Sequence, residues 1–417
     1  MDFFSALPLP LWIAALLAFY MAWAIGANDV ANAMGTSVGS GALTVGGAII
    51  VAAIFEFAGA FLAGGHVTDT VRKGMLDMSL IGREQLIYGM MASLASAGTL
   101  LIGATRFGMP ISTTHSIVGA IVGFGAVAIG IDAVNWPKVL QISLSWITSP
   151  LLAGVIAFAI FHLIRSTILN KSNPVHQIRK YGPAFFFFVF FIIGLVTLFK
   201  GLKHINLDLD LMEALAGSIA LGLIGAGIGA FFIRRVRIGE ADPDHRFDQV
   251  ERIFVVLQIL TACAIAFAHG SNDVANAIGP LAAIVNAVEN VDLTAKAPVA
   301  PWMLAIGGLG IVIGLATWGY RVMETVGKKI TELTPSRGFA AQLAAASTIV
   351  LASRLGIPIS TTHTLVGAVL GVGLARGITA LDLRVVGNIL ASWIATLPIA
   401  AALSVFFYYF FKGLLTA

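Results

Sequence analysis

The segment GANDVANA occupies residues 26 to 33 and returns, with one change, as GSNDVANA at residues 270 to 277. A second pair repeats in the same order, with GMPISTTH at residues 108 to 115 and GIPISTTH at residues 356 to 363. The two pairs are separated by nearly the same length of chain. Two motifs that recur in order at an almost constant separation indicate an internally duplicated protein.

The composition is that of a membrane protein. Of the 417 residues, 58% are hydrophobic and only 11% are charged, whereas about a quarter of a typical soluble chain is charged. The 45 glycines suit membrane helices, which associate by close approach of their backbones. The net charge of +4 comes from short basic clusters between apolar spans. We therefore expect a lipid bilayer as partner, and no nucleic acid.

Eight apolar stretches are long enough to cross a bilayer, which takes about 20 helical residues. Six are predicted to be uninterrupted: residues 43–64, 138–165, 183–203, 212–233, 300–320 and 383–411. The other two, residues 8–40 and 250–287, contain the Asn-Asp elements. A polar element beside a glycine at this depth predicts a broken helix with unwound backbone.

Two further segments predict re-entrant helical hairpins. Residues 86–131 and 339–379 each contain two helical stretches around a Pro-Ile-Ser-Thr-Thr-His turn. Proline ends the first stretch, and Ser or Thr is a good N-cap for the second. The predicted fold class is therefore an all-α polytopic membrane protein of about 12 helices, with broken helices and two re-entrant hairpins.

The crossings also predict the domain organisation. Five crossings separate corresponding loops of the two halves, and an odd number inverts the second half relative to the first. We expect a first inverted repeat at residues 1–165, a connector of two transmembrane helices at 166–248, and a second repeat at 249–417. The connector is rich in phenylalanine and lacks polar motifs, so it is expected to face lipid or another copy in a homo-oligomer.

Basic residues predict the orientation. Lys and Arg cluster at residues 165–180 and 234–252, which lie two crossings apart and hence on one face. Such clusters are typical of cytoplasmic loops. The sequence therefore predicts a multi-pass protein of the cell (inner) membrane with both termini outside.

Asp29 and Asp273 are the most unusual residues of the apolar spans, because a carboxylate at bilayer depth costs about 3 kcal/mol. With Asn32 and Asn276, and with carbonyls freed by an unwound helix, each Asp would form an oxygen-rich nest for a small cation such as sodium. The alternative is that each Asp only hydrogen-bonds to helix ends within the bundle.

The hairpin tips predict a site for an anion. Hydroxyl groups and the free N–H groups of a helix N-terminus together form an anion cradle, and two inverted tips would aim at one point. Ordinary N-capping is the alternative. The residues assigned to a bound oxyanion are Ser112, Thr113, Thr114, Ser360, Thr361, Thr362, Asn28 and Asn272.

Several further polar residues are candidates for coupling or gating. His115 and His363 directly follow the hydroxyl residues, where a histidine can donate to an anion, relay a proton or cap a helix. Glu56 is an isolated carboxylate in an apolar span. His66, His162 and His269 lack metal-ligand spacing with acidic or Cys partners. We therefore expect no cofactor and no structural transition metal, with sodium as the only metal ion.

Two other functional classes are disfavoured. The sequence contains neither a Gly-x-Ser-x-Gly elbow nor an HExxH helix, so we expect no enzyme. An ion channel is less well supported, because paired anion and cation features with inverted repeats suit coupled binding and alternating access.

The four motifs, in this order, resemble those of the inorganic phosphate transporter (PiT) family over nearly the whole chain. The resemblance implies inward symport of inorganic phosphate with sodium or protons, at a site lined by the duplicated signatures. The Asp-Asn nests favour sodium, while proton coupling, metal-phosphate transport and sulfate transport are the alternatives. Animal members carry a glutamate in each half. Glu56 matches the first, whereas Gln342 stands where the second is expected and is assigned to coupling or gating. The absence of their long cytoplasmic loop suggests a prokaryotic transporter.

Overall fold

The computed structural model describes residues 9–65, 75–198, 209–235, 246–289, 299–354 and 359–416, and these residues are almost entirely helical. The first half contains α1 (Leu9–Ile25), α2 (Ala31–Gly39), α3 (Val45–Ala63), α4 (Arg83–Arg106), α5 (Thr113–Phe124) and α6 (Trp136–Ile164). Next come α7 (Pro174–Val196) and α8 (Leu211–Arg235). The second half contains α9 (Arg246–Glu289), α10 (Pro301–Trp318), α11 (Tyr320–Glu324), α12 (Pro335–Arg354), α13 (Thr361–Arg376) and α14 (Leu383–Thr416).

In the described part of the chain, nine helical segments are long and apolar enough to cross a membrane. They comprise the eight predicted crossings and α4, the first arm of the first hairpin. The described residues form no β-strand, and their single isolated β-bridge joins Leu76 to Val134. The predicted all-α membrane fold is confirmed.

Each predicted hairpin tip leads into a capped helix. The Ser112 side chain accepts from the backbone N–H of His115 at 3.2 Å, and Ser360 accepts from His363 at 3.1 Å. These N-caps satisfy donors that would otherwise be unpaired at the starts of α5 and α13. The residues 356 to 358 that precede the second tip lie outside the described residues, as does His66.

Corresponding elements of the two halves pack across to each other. Helix α5 packs along α14 and α13 packs along α6, so the second arm of each hairpin lies against the long helix that follows the other hairpin. Within each half, the loops on the two sides of the hairpin bond to each other, with Asp77 N donating to Ala133 O at 2.8 Å and Asp382 N donating to Ile330 O at 3.1 Å. The exchange of hairpin arms between the halves brings the two hairpin tips together.

The local form of the Asn-Asp elements differs from the predicted unwound backbone. In the first half, Gly26–Val30 form a π-helical turn between α1 and α2. In the second half, α9 continues through the element without a break. The physical reason is that the polar side chains bond along the helix surface. Asn32 donates to Asp29 at 3.3 Å and Asn276 donates to Asp273 at 3.2 Å, both three residues apart. Intact helices therefore pair these groups without freed carbonyls.

Close contact between α3 and α9 positions two of the ionisable residues. A side chain at Gly59 would collide with the backbone of Phe267, and one at Gly270 would collide with the backbone of Glu56. Glycines at both positions let the two helices touch through their backbones, as is common in membrane proteins. As a result, Glu56 on α3 faces the residue before Gly270 on α9.

The phenylalanine-rich helix α7 is only partly exposed. Phe185 is buried, with its ring centroid 6.0 Å from Phe254 and 5.8 Å from Phe339, whereas Phe188 is exposed. One side of α7 therefore packs on the second half. The expected homo-oligomer contact through the remaining face stays a prediction.

Candidate functional site

Asp29 and Asp273 converge on one buried cluster instead of two separate nests. A carboxylate oxygen of each and a ring nitrogen of His269 all lie within 4.8 Å of one another. All three side chains are buried. This arrangement of one nitrogen and two carboxylates can hold a cation.

His269 is the centre of this cluster, so the expectation that it lacks acidic partners at metal-ligand spacing was wrong. Its Nε2 atom lies 2.8 Å from Asp273 Oδ2 and 3.7 Å from Asp29 Oδ1, and its Nδ1 atom lies 3.0 Å from Glu56 Oε2. Glu56 is thus not isolated. The available signal was the spacing of His269 and Asp273, which are four residues apart on one helix and hence on one face.

The second hairpin tip is bonded to the same carboxylates. Thr361 Oγ1 donates to Asp273 Oδ2 at 2.7 Å, and Thr362 Oγ1 donates to Asp29 Oδ1. Asn32 Nδ2 donates to Thr362 Oγ1 at 3.2 Å. The hydroxyl oxygens of these threonines therefore lie beside the carboxylates, where their lone pairs can serve a cation.

The side-chain oxygens of Asn32 and Asn272 accept no hydrogen bond within the described part of the chain. Asn272 Nδ2 donates to Asp273 Oδ1 at 3.0 Å, and the Asn32 amide nitrogen is shared between Asp29 and Thr362. The Oδ1 atoms of Asn32 and Asn272 are buried and have no hydrogen-bond partner among the described residues. A buried acceptor without a partner is costly, and a cation bound beside such an oxygen would satisfy it.

Asn28 holds the first hairpin tip in place. Its Nδ2 donates to Thr105 Oγ1 at 2.9 Å and to Met109 O at 3.0 Å, while its Oδ1 accepts from Ile111 N at 3.2 Å. Every polar group of this amide faces the hairpin. Asn28 therefore positions the tip and in this arrangement has no hydrogen-bonding group to spare for a ligand.

The two tips touch each other. Thr114 Oγ1 donates to Ile359 O at 3.3 Å, Thr362 Oγ1 lies 3.3 Å from Ile111 O, and Thr113 is buried beside them. Ser112 and Ser360 use their oxygens as N-caps, which leaves each hydroxyl hydrogen to donate. A cavity of about 10 Å³, room for about one water molecule, borders Asp29, His269 and Thr361.

The remaining candidates lie around this centre. His115 and His363 contact each other, with ring centroids 4.3 Å apart. Gln342 Nε2 donates to Ser37 Oγ at 2.7 Å and to Ala33 O at 3.2 Å, and its Oε1 accepts from Thr261 at 3.0 Å. Gln342 thus anchors helix α2, which follows the first Asn-Asp element.

The cluster is strongly acidic. It contains three carboxylates, those of Asp29, Glu56 and Asp273, and one imidazole. With all of them ionised and the imidazole protonated, the formal charge is still negative by about two units. Buried charge of this size must be compensated by bound cations or by protons.

Comparison with known proteins identifies the family. Residues 25–404 match the phosphate transporter family. A Haemophilus influenzae protein, a phosphate permease by name, is 48% identical over 401 residues, covering 95% of this chain and 96% of the relative. The inorganic phosphate transporter 2-1, chloroplastic, of Arabidopsis thaliana is 42% identical over 459 residues, covering 99% of this chain and 77% of that protein.

A solved structure agrees with these relatives. The structure described as the sodium-dependent phosphate transporter superposes with a TM-score of 0.89 at 42% identity, covering 97% of this chain and 99% of that one. The resemblance found in the sequence is confirmed, and so is the expectation that the protein is no enzyme, since the family and these relatives are transporters. This polytopic membrane protein belongs to the phosphate transporter family.

Proposed function

We propose that this protein imports inorganic phosphate by symport with sodium ions, through alternating access around the two hairpin tips. The observation that carries the proposal is the buried cluster of three carboxylates around His269, directly beside the tip hydroxyls. The solved relative is named for sodium dependence, and this supports the choice of cation.

Electrostatics gives the reason for coupling. Phosphate is an anion at neutral pH, and two like unit charges about 5 Å apart repel by about 3 kcal/mol at an effective dielectric constant of about 20. Phosphate therefore cannot bind stably beside the uncompensated carboxylates. Cations that neutralise Asp29 and Asp273 remove this repulsion, and by linkage phosphate tightens cation binding by the same factor.

The oxygens around the carboxylates suit sodium. We assign the cations to Asp29, Asp273, Asn32 and Asn276, with the free Oδ1 atoms of Asn32 and Asn272 as support. Hard cations prefer such carboxylate, amide and hydroxyl oxygens. Since Thr361 and Thr362 are bonded to the carboxylates, their hydroxyls would serve the cations as well as the anion.

The phosphate assignment rests on the two helix starts. Ser112 and Ser360 each retain a hydroxyl hydrogen, and they cap α5 and α13, whose N-terminal dipoles favour an anion. Thr113 and Thr114 complete the first tip. Asn28 and Asn272 act next to this site, Asn28 by holding the tip and Asn272 by orienting Asp273.

Binding and release of phosphate require the tips to move. The contacts of Thr114 with Ile359 and of Thr362 with Ile111 join the tips, and the cavity beside them has room for about one water molecule. We propose that the tips separate toward one side of the membrane at a time. The cytoplasmic side is assigned to the basic loops, in the cell (inner) membrane, which puts both termini outside.

The test is uptake of radiolabelled phosphate into proteoliposomes. A sodium gradient and a proton gradient are imposed separately, with protein-free liposomes as the control. We expect uptake with sodium alone, abolished when potassium replaces sodium, and only weak inhibition by sulfate. Phosphate uptake that does not depend on sodium would refute the proposal, and so would sulfate uptake at the same rate as phosphate uptake.

Proton coupling is the second candidate, and one contact favours it. Glu56 Oε2 and His269 Nδ1 lie 3.0 Å apart and buried, so this pair can share and pass on a proton. The same experiment separates the candidates, because proton coupling requires uptake driven by a pH gradient in sodium-free buffer.

A further inference from the structure

A second buried polar cluster lies one helical turn behind the hairpin tips. It consists of His115, Trp146, His363 and Trp393, here called the His–Trp cluster, whose exposed fractions are 4%, 6%, 2% and 8%. Ring centroids are 3.7 Å apart for His115 and Trp146, 4.3 Å for His115 and His363, and 3.5 Å for His363 and Trp393. The four rings thus form one continuous series of ring contacts across the two halves, stacked between His363 and Trp393 and edge-on between the two histidines.

Each histidine also bonds to the backbone of the opposite half. His115 Nδ1 donates to Trp393 O at 3.3 Å, and His363 Nδ1 donates to Trp146 O at 3.2 Å. The Trp146 carbonyl is available because the residue four positions later is Pro150, which has no N–H to donate within the helix. These bonds fix both imidazole rings.

The bonds also determine which ring nitrogen carries the hydrogen. A carbonyl oxygen only accepts, so Nδ1 of each histidine must be protonated, and in the neutral ring Nε2 then presents a lone pair. An indole Nε1–H only donates. The cluster therefore contains two acceptors, the histidine Nε2 atoms, and two donors, the tryptophan Nε1–H groups.

These four nitrogens are the unpaired polar atoms of the cluster. Both Nε2 atoms and both Nε1 atoms are buried and have no hydrogen-bond partner among the described residues. Buried polar atoms are nearly always paired with protein or with ordered water, because an unpaired one costs the full penalty of leaving water. Four such atoms in one set of contacting rings point to a bound molecule.

We propose that the His–Trp cluster binds an internal water molecule that bridges the two hairpins. A water molecule has two hydrogens for the two Nε2 acceptors and two lone pairs for the two Nε1–H donors, which matches the cluster in number and type. The bridge would connect α5 and α6 of the first half with α13 and α14 of the second. It would thereby stabilise the arrangement in which the two tips are in contact.

Charge distinguishes water from an ion. The ion pairs of the described residues involve His269, Arg337 and Arg376, and none includes His115 or His363. A metal ion on the two imidazoles would therefore be an uncompensated buried charge, and a phosphate would meet no cationic side chain. A neutral ligand avoids both costs.

The direct test is nuclear magnetic resonance of the full-length protein labelled with ¹⁵N-histidine and ¹⁵N-tryptophan. Signals of His115 and His363, among the eight histidines, are assigned by their loss in His115→Gln and His363→Gln. We expect protonated Nδ1, unprotonated hydrogen-bonded Nε2, and magnetisation transfer from water to the Nε1–H groups of Trp146 and Trp393. Protonated Nε2 atoms, or no contact with water, would overturn the proposal. This readout does not depend on phosphate transport.

A transport measurement adds a second, milder variant. Trp393→Phe keeps an aromatic ring but removes the N–H donor, and loss of one hydrogen bond corresponds to about a two- to tenfold effect. We expect KM for phosphate to rise by that factor with little change in maximal rate, while the exposed control Trp302→Phe stays at the wild-type value. An unchanged KM in Trp393→Phe would contradict a positioning role for the bridge. If the purified protein contains stoichiometric zinc or copper and His363→Gln loses it, the cluster binds a metal ion and the proposal of a bound water is wrong.

Discussion

Glu56 Oε2 lies 3.0 Å from His269 Nδ1, and this contact joins α3 of the first half to α9 of the second. The other ring nitrogen of His269 reaches Asp273. One imidazole thereby links a residue outside the repeated motifs to the carboxylates inside them. A change of charge at any of these residues should therefore change the electrostatic energy of the others.

A double-mutant cycle measures this linkage. His269→Gln removes the only basic side chain of the cluster, and loss of one partner of a buried ion pair typically costs about 3 to 5 kcal/mol. Adding Glu56→Gln should restore part of the lost stability, because one uncompensated carboxylate is removed. Thermal unfolding in detergent at fixed sodium concentration provides the measurement. The matched control pairs His269→Gln with the exposed change Glu84→Gln, for which we expect additive effects. Additivity in both cycles would contradict the linkage.

Neutralising the aspartates should weaken sodium activation. In Asp29→Asn or Asp273→Asn, a cation would lose a charged ligand, and we expect the sodium concentration for half-maximal phosphate uptake to rise at least about tenfold, or about 1.4 kcal/mol. Sodium titration of uptake in proteoliposomes checks this. Asp132→Asn, at an exposed aspartate, is the control. Wild-type sodium activation in both variants would remove these residues from the cation site.

Removing the capping hydroxyls should weaken phosphate binding. Ser112→Ala or Ser360→Ala deletes a donor to an anion, worth about 1.5 to 3 kcal/mol or about 10- to 150-fold in affinity. Each also loses an N-cap worth about 1 kcal/mol of stability. Titration calorimetry with phosphate measures affinity separately from stability. Thr44→Ala is the control for the loss of an N-cap away from the tips, since Thr44 caps α3 by accepting from Gly47 N. Equal phosphate affinities in all three variants would assign the serines to capping alone.

Gln342→Glu tests why an amide occupies this position. Both donor bonds of its Nε2, to Ser37 and to Ala33 O, would be lost, and the Ala33 carbonyl would face a carboxylate. We expect a loss of about 1 to 3 kcal/mol in stability, visible as a lower unfolding temperature. Gln342→Met, which also loses the bonds but adds no charge, is the control. If added sodium raises the unfolding temperature of Gln342→Glu more than that of Gln342→Met, a carboxylate at this position binds a cation.

The predicted orientation can be tested with single cysteines in a Cys263→Ala background. Lys171 and Asp210 are exposed and flank helix α7. A membrane-impermeant thiol reagent added to intact cells should label Asp210→Cys and spare Lys171→Cys. Inside-out vesicles should show the reverse pattern. The opposite result would place the basic loops outside.

Much of the fold was predictable because its signals are local. The apolar spans follow from length and composition, and the capped helix starts at Ser112 and Ser360 follow from a proline two residues before a hydroxyl residue. The predicted unwinding near Asp273 was wrong. Asn276 pairs with Asp273 on the surface of an intact helix, and glycine packing of α9 on α3 favours that helix.

The sequence by itself determined the duplication, the membrane fold, the family and the residues that carry charge and hydroxyl groups at membrane depth. Only the tertiary structure decided how they combine: His269 lies between Asp273 and Glu56, the threonines of one tip bond to the aspartates, and Asn28 bonds to the other hairpin. Most of these contacts join residues far apart in the chain. They depend on where helices cross, which is set by the packing of many small residues and leaves no local pattern in the sequence.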